Sequence, residues 1–257
     1  MLESMGYHTL AEARKATQEE LLAGVKAYVT AHNGDAMSPF SPIADGYVFP
    51  EAMNTMIEKG DFPDLPIMIG CTAEEAQKHL TELPSLDELN AKSDMLFGEG
   101  YREQFLKAIH YPEDKEYALT MANKFVDMTG GMQGAVIAWC KNQLRLGKKP
   151  SYRYLLTLVP PTAEGAHHSA EHQYVFQTLP KSSRPYTGRD WDLSNQLADY
   201  WANFIKTGNP NGEGLPEWTP YTAESPKAMK IDYDLQMFDA PSNDLVDMIA
   251  DFDLKKI

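Results

Sequence analysis

Two apolar stretches stand apart from a chain that is otherwise written mostly in helical periods. Leu65-Pro66-Ile67-Met68-Ile69-Gly70-Cys71 is a compact apolar run of the kind that a strand buried on both faces of a sheet shows. Ser151 to Leu158, opened by Pro150, is the second strand. Between them the pattern predicts helices over Ser85 to Leu96, Glu99 to Ile109 and Asp114 to Met128. Gly130-Gly131 then breaks the period, and a further helix over Met132 to Leu146 carries Met132, Val136, Trp139, Cys140 and Leu144 on one side, with Gly147 as its cap.

The flanks of this region read as clearly. Thr9-Leu10-Ala11-Glu12 and Thr17-Gln18-Glu19-Glu20 are both capping boxes, in which a threonine oxygen and a glutamate three positions on satisfy the free amides of a helix start. They predict helices over 10–16 and 18–31, ended by Asn33-Gly34. Residues 35–64 are rich in Pro, Gly and Asp and read as loop, with a short helix from Glu51 to Lys59 closed by Gly60. Towards the C-terminus, Asp192 is placed to cap a helix whose buried stripe is Leu193, Leu197, Tyr200, Trp201, Phe204 and Ile205, ended by Gly208. A strand over Ala228 to Tyr233 pairs with Gln236 to Asp239, and Leu245 to Ile257 is an amphipathic tail. Strand, helices, strand and helix in that order predict an α/β fold, a mostly parallel sheet covered by helices, and the 257 residues read as a single domain.

Composition narrows the partners. Asp and Glu outnumber Lys and Arg by 37 to 23, for a formal charge of -14, which excludes a nucleic-acid or anionic-membrane partner. There is no apolar run approaching the roughly 20 residues that would span a bilayer, and no basic-then-apolar leader at Met1 to Met5, so the expected location is cytoplasmic. Both cysteines, Cys71 and Cys140, sit in apolar segments and read as buried free thiols. Nothing in the sequence requires a cofactor.

The candidate chemistry lies just past the two strands. Gly165-Ala166-His167-His168-Ser169-Ala170-Glu171-His172 packs three of the seven histidines into six positions after the second strand, and Glu74-Glu75 follows the first. In an open α/β sheet the C-terminal ends of parallel strands gather functional groups at one edge. Glu75 and His168, far apart in the chain, would then meet there as the acid and base of a nucleophilic triad. The nucleophile of such a triad sits on a G-x-S-x-G turn, and no such pentapeptide occurs in these residues. The same loop also spells H-x-x-E-H, so a zinc site built from His168 and His172 with Glu171 as base is the competing reading, provided that these residues share a helix.

Four stretches resemble the C-terminal half of the type-B carboxylesterases, the α/β-hydrolase family of bacterial p-nitrobenzyl esterases and animal cholinesterases. They are Ile43 to Pro50, Pro66 to Ala76, Ala166 to Phe176, and Tyr200 to Asn211 continued by Leu215 to Tyr221, of which the last is the most specific. The resemblance implies that Glu75 is the triad carboxylate and His168 the triad base, acting on a small carboxylic ester. Where the family usually has glycine after its acid and after its histidine, this chain has Ala76 and Ser169. The family's nucleophile and Gly-rich oxyanion loop belong to an N-terminal half that has no counterpart here, which implies a chain inactive alone. It would then be a fragment, one part of a split enzyme completed by a complementing N-terminal chain, or a noncatalytic binding or scaffold module. An open sheet edge favours a homo-oligomer or a partner chain.

Overall fold

The computed structural model describes residues 2–31, 42–76, 80–126, 129–240 and 243–256. The chain divides into two compact units, residues 1–56 and 57–257.

In the first unit, α1 (Leu10–Ala13) and α2 (Gln18–Ala31) start where the capping boxes place them. Thr9 Oγ1 accepts from the Glu12 amide while Glu12 Oε2 accepts from the Thr9 amide, and Thr17 and Glu20 repeat the arrangement. Asn33-Gly34, expected to end α2, falls outside the described residues. At Asp45-Gly46 a turn is held by Asp45 Oδ1, which accepts from the amides of Tyr47, Val48 and Phe49. Helix α3 (Met53–Lys59) ends at Gly60 with φ +73°, a left-handed conformation that glycine adopts without a Cβ penalty.

The second unit is a sheet of order β1-β2-β3-β4 covered by helices. Strand β1 (Ile67–Thr72) pairs in parallel with β2 (Ser151–Leu156), which pairs in parallel with β3 (Ala228–Ile231). The short β4 (Gln236–Phe238) closes back antiparallel on β3, the expected hairpin. On one face, Tyr152 and Leu156 of β2 and Met229 and Ile231 of β3 pack with Leu193, Leu197 and Tyr200 of α9 (Gly188–Thr207) around the fully buried Trp218. Trp218 is clamped by Asn211, whose side chain accepts from its amide and donates to its carbonyl, and its indole N–H donates to the Arg153 carbonyl at 3.1 Å. The specific stretch from Tyr200 to Tyr221 is therefore a lock on the middle of β2. On the other face, Cys71 and Leu155 meet Val136 of α7 (Thr129–Arg145), and α7 in turn packs on α10 (Asp244–Lys256). Helices α4 (Leu86–Phe97), α5 (Arg102–Ala108) and α6 (Lys115–Val126) build a second cluster against α10. The expected end of α6 at Met128 falls outside the described residues.

Several expectations change. Gly130-Gly131 does not break the helical pattern, because α7 runs through it. Both glycines lie in the first turn of α7, which begins at Thr129; the tight approach comes later, at Gly134, where a Cβ would stand 2.4 Å from Ile249 Cγ2. Gly134 costs helix propensity of about 1 kcal/mol, offset by the close approach of α10. Because α7 is covered from two directions, Gln133, Asn142 and Gln143 are buried while Met132 and Leu144 of the expected stripe are exposed. Strand β1 is only half-buried until Cys71 and Thr72. Helix α9 is capped by Thr187 rather than Asp192, with Asp190 closing the box, so it begins earlier than the apolar stripe suggests. Ile205, expected in that stripe, is exposed.

Candidate active site

The parallel register of β1 and β2 continues past their ends. The Ala73 amide donates to the Leu156 carbonyl at 2.9 Å, and the Glu74 amide to the Ala166 carbonyl at 3.1 Å. Glu74 and His167 form an isolated parallel bridge. Two loops separated by a long stretch of chain are thereby pinned side by side at the C-terminal edge of the sheet. At Gly165 the backbone comes close to the Glu74 carboxylate, the far end of a flexible side chain.

Glu75 is buried and uses both oxygens. Oε1 accepts from the Thr72 amide at 2.7 Å, which fixes the carboxylate against the end of its own strand. Oε2 lies 2.5 Å from His168 Nδ1. A carboxylate can only accept, so Nδ1 carries the proton and Nε2 keeps its lone pair. The side chain of His168 is 64% exposed, against 6% for that of Glu75, so the ring is held at its root and open at its tip. The next residue, Ser169, has φ +62°, which turns the chain sharply after the histidine. Glycine adopts this left-handed backbone freely and serine at a cost.

The neighbouring histidines serve other ends. His167 Nδ1 lies 3.0 Å from the His168 carbonyl, and exposed His172 meets Phe176 edge-on. Helix α8 (Glu171–Val175) does form in this loop. It begins only after His168, however, so His168 and His172 do not share it. Glu171, the base of the zinc reading, is buried and accepts from the Tyr154 hydroxyl at 3.3 Å. No group of three metal-ligating side chains converges among the described residues.

Sequence reasoning missed two supports of this edge. Tyr154 crosses directly over Gly70 of β1, where a Cβ would run into its ring, and burial pushes its phenol far up, so that it donates to Glu171 as a neutral group. Asp190 is fully buried and accepts from the hydroxyls of Tyr174 and Tyr233, both at 2.8 Å, tying α8 to α9 and to the β3–β4 turn. The Thr-x-x-Asp spacing at Thr187 was the available signal for it. Both cysteines are buried free thiols, as expected; burial, reinforced by the Glu75 charge, pushes Cys71 up to about 12.

A buried carboxylate on the Nδ1 side of an exposed imidazole, at the C-terminal edge of a parallel sheet, is an acid–base pair. A family model, the carboxylesterase family, matches residues 4–248. The chain belongs to the carboxylesterase family. Acetylcholinesterase of Bungarus fasciatus is 26% identical over 218 residues, which cover 75% of this chain and 36% of that protein. Carboxylesterase 1C of Mus musculus is 28% identical over 237 residues, covering 81% and 40%. Among solved structures, a PNB esterase superposes with a TM-score of 0.69 at 23% identity, over 95% of this chain and 50% of its own. A thermophilic PNB esterase does so with a TM-score of 0.72 at 22% identity, over 98% and 52%. The chain thus has an α/β-hydrolase sheet and spans about half the length of those solved structures and less of the curated relatives. No helix among its described residues is long and apolar enough to cross a membrane.

Proposed function

We propose that this chain supplies the acid and base of a Ser-His-Glu triad for carboxylic ester hydrolysis, with His168 as base and Glu75 as the carboxylate that orients it. The observation that carries the reading is the contact between buried Glu75 Oε2 and His168 Nδ1 at 2.5 Å. With Nδ1–H held by the carboxylate, Nε2 accepts the proton of a serine hydroxyl as that oxygen attacks the ester carbonyl. The imidazolium then returns the proton to the leaving alkoxide, and water repeats the sequence on the acyl-enzyme. Glu75 stabilises the imidazolium and fixes the ring; its second oxygen stays on the Thr72 amide throughout.

The serine lies on no G-x-S-x-G turn of these 257 residues, so it comes from a complementing segment. Strand β1, which carries Glu75 at its end, is an edge of the described sheet and offers the position where that segment would add a parallel strand. The expected result is that this chain alone turns over p-nitrophenyl acetate no faster than its His168→Ala variant. Co-expression with the nucleophile-bearing half of a PNB esterase should restore turnover, and His168→Ala should abolish what is restored. Turnover by the chain alone well above the His168→Ala control would overturn the split, and restored turnover indifferent to His168→Ala would overturn the triad assignment.

A further inference from the structure

Arg153 is a buried cation that the ester chemistry does not use. It sits mid-strand on β2, on the face turned to α7, three residues before the strand end that leads to the histidine loop. It is 5% exposed, its Nε has no hydrogen-bond partner, and its one side-chain hydrogen bond among the described residues is a long one, Nη1 to the Pro226 carbonyl at 3.5 Å. Burial pushes its pKa down, against the opposing pull of the Asp247 carboxylate on the same cavity wall. Asp247 supplies part of its counter-charge, but the Arg153 side-chain donors are left short of acceptors.

Arg153 lines an open cavity of about 760 Å³, a volume suited to a small organic molecule. Ile137, Leu144, Ala223, Pro226 and Ala240 make most of the wall apolar. The other cations there are engaged: Lys141 pairs with Asp251 at 3.3 Å, and Arg145 donates to Asn142 Oδ1 and to the Glu58 carbonyl. Asp239 and Asp247 also face the cavity, and they disfavour a ligand with more than one negative charge. The chain's overall charge of -14 acts in the same direction.

We propose that this cavity binds an amphiphilic monocarboxylate, its carboxylate on the Arg153 guanidinium and its apolar body along Leu144, Ile137 and Pro226. The site is separate from the Glu75–His168 pair and does not depend on the ester-hydrolase reading. Calorimetric titration of the full chain with octanoate tests it, with 1-octanol and inorganic phosphate as controls. Octanoate is expected to bind saturably, at least tenfold tighter than either control. Arg153→Met, which keeps the stem and removes the charge, should weaken octanoate at least tenfold. Leu144→Glu, at an exposed position of α7 and so tolerated by the fold, should do the same by placing a like charge on the wall. His168→Ala should leave octanoate binding unchanged. Equal affinity for octanoate and octanol, displacement of octanoate by phosphate, wild-type affinity in Leu144→Glu or in folded Arg153→Met, or loss of binding in His168→Ala would each overturn the proposal.

Discussion

Asp190→Ala is the substitution whose cost follows most directly from the packing beside the candidate site. The carboxylate is fully buried and accepts four hydrogen bonds: from the Tyr174 and Tyr233 hydroxyls at 2.8 Å each, and from the Thr187 amide and hydroxyl at 2.7 and 3.0 Å. Removing it strands two phenols and one cap amide, each costing about 1–3 kcal/mol if left unpaired. Partial relaxation of the phenols keeps the total short of the sum, at about 3–5 kcal/mol, as for a broken buried charged network. Asp190→Asn keeps the shape but turns an NH₂ towards the cap amide or the phenols, for a loss of about 2 kcal/mol. Burial raises the Asp190 pKa, but the bonds from Thr187, Tyr174 and Tyr233 outweigh it and hold the group below its ordinary value. A depressed folded pKa contributes stability that is full above the unfolded value, about 3.9, and is lost as pH falls through the folded one. Urea unfolding at pH 7 and between pH 5 and pH 3 measures both effects. Tyr174→Phe should cost less in the Asp190→Asn background than in the wild type. A loss under about 1 kcal/mol for Asp190→Ala, or an acid limb unchanged in Asp190→Asn, would refute the reasoning.

Three further outcomes follow. Ser169→Gly should stabilise the chain by about 1 kcal/mol in the same urea assay, because it relieves a non-glycine residue at φ +62°. Gly165→Ala should leave the melting temperature measured by circular dichroism nearly unchanged, because its methyl group meets only the flexible end of Glu74, which swings aside without moving the backbone bridge between the two loops. Burial holds the Cys71 and Cys140 thiols at about 12 and about 11, so at pH 8 they stay protonated, and native protein should not react with Ellman's reagent until urea exposes them.

The part of this fold that local rules govern was legible. Thr9 with Glu12, Thr17 with Glu20 and Ser85 with Glu88 start helices through bonds within four residues, and such bonds are written in the sequence. The strand ends carrying Glu75 and His168 were legible because parallel pairing brings consecutive strand ends to one edge. What was hidden depends on partners distant in the chain. Gly130-Gly131 reads as a helix breaker, whereas both glycines lie in the first turn of α7. The stripe of α7 failed because two layers cover that helix, so polar Gln143 is buried while Leu144 is not. The α9 start was placed at Asp192 because Leu193 begins the apolar stripe, whereas the amides of the helix end are met by Thr187 and Asp190. Arg153 and Tyr154 looked like the alternation of a strand, and only the fold reveals that one faces an open cavity and the other covers Gly70.

The central claim, that Glu75 holds His168 with its proton on Nδ1 and its lone pair on Nε2, is tested most directly by nitrogen NMR of the imidazole at pH 8. The contact at 2.5 Å predicts a single Nδ1–H tautomer for His168, which Glu75→Ala should convert to a mixture dominated by Nε2–H. An Nε2–H tautomer in the wild type, or a His168 spectrum indifferent to Glu75→Ala, would contradict it.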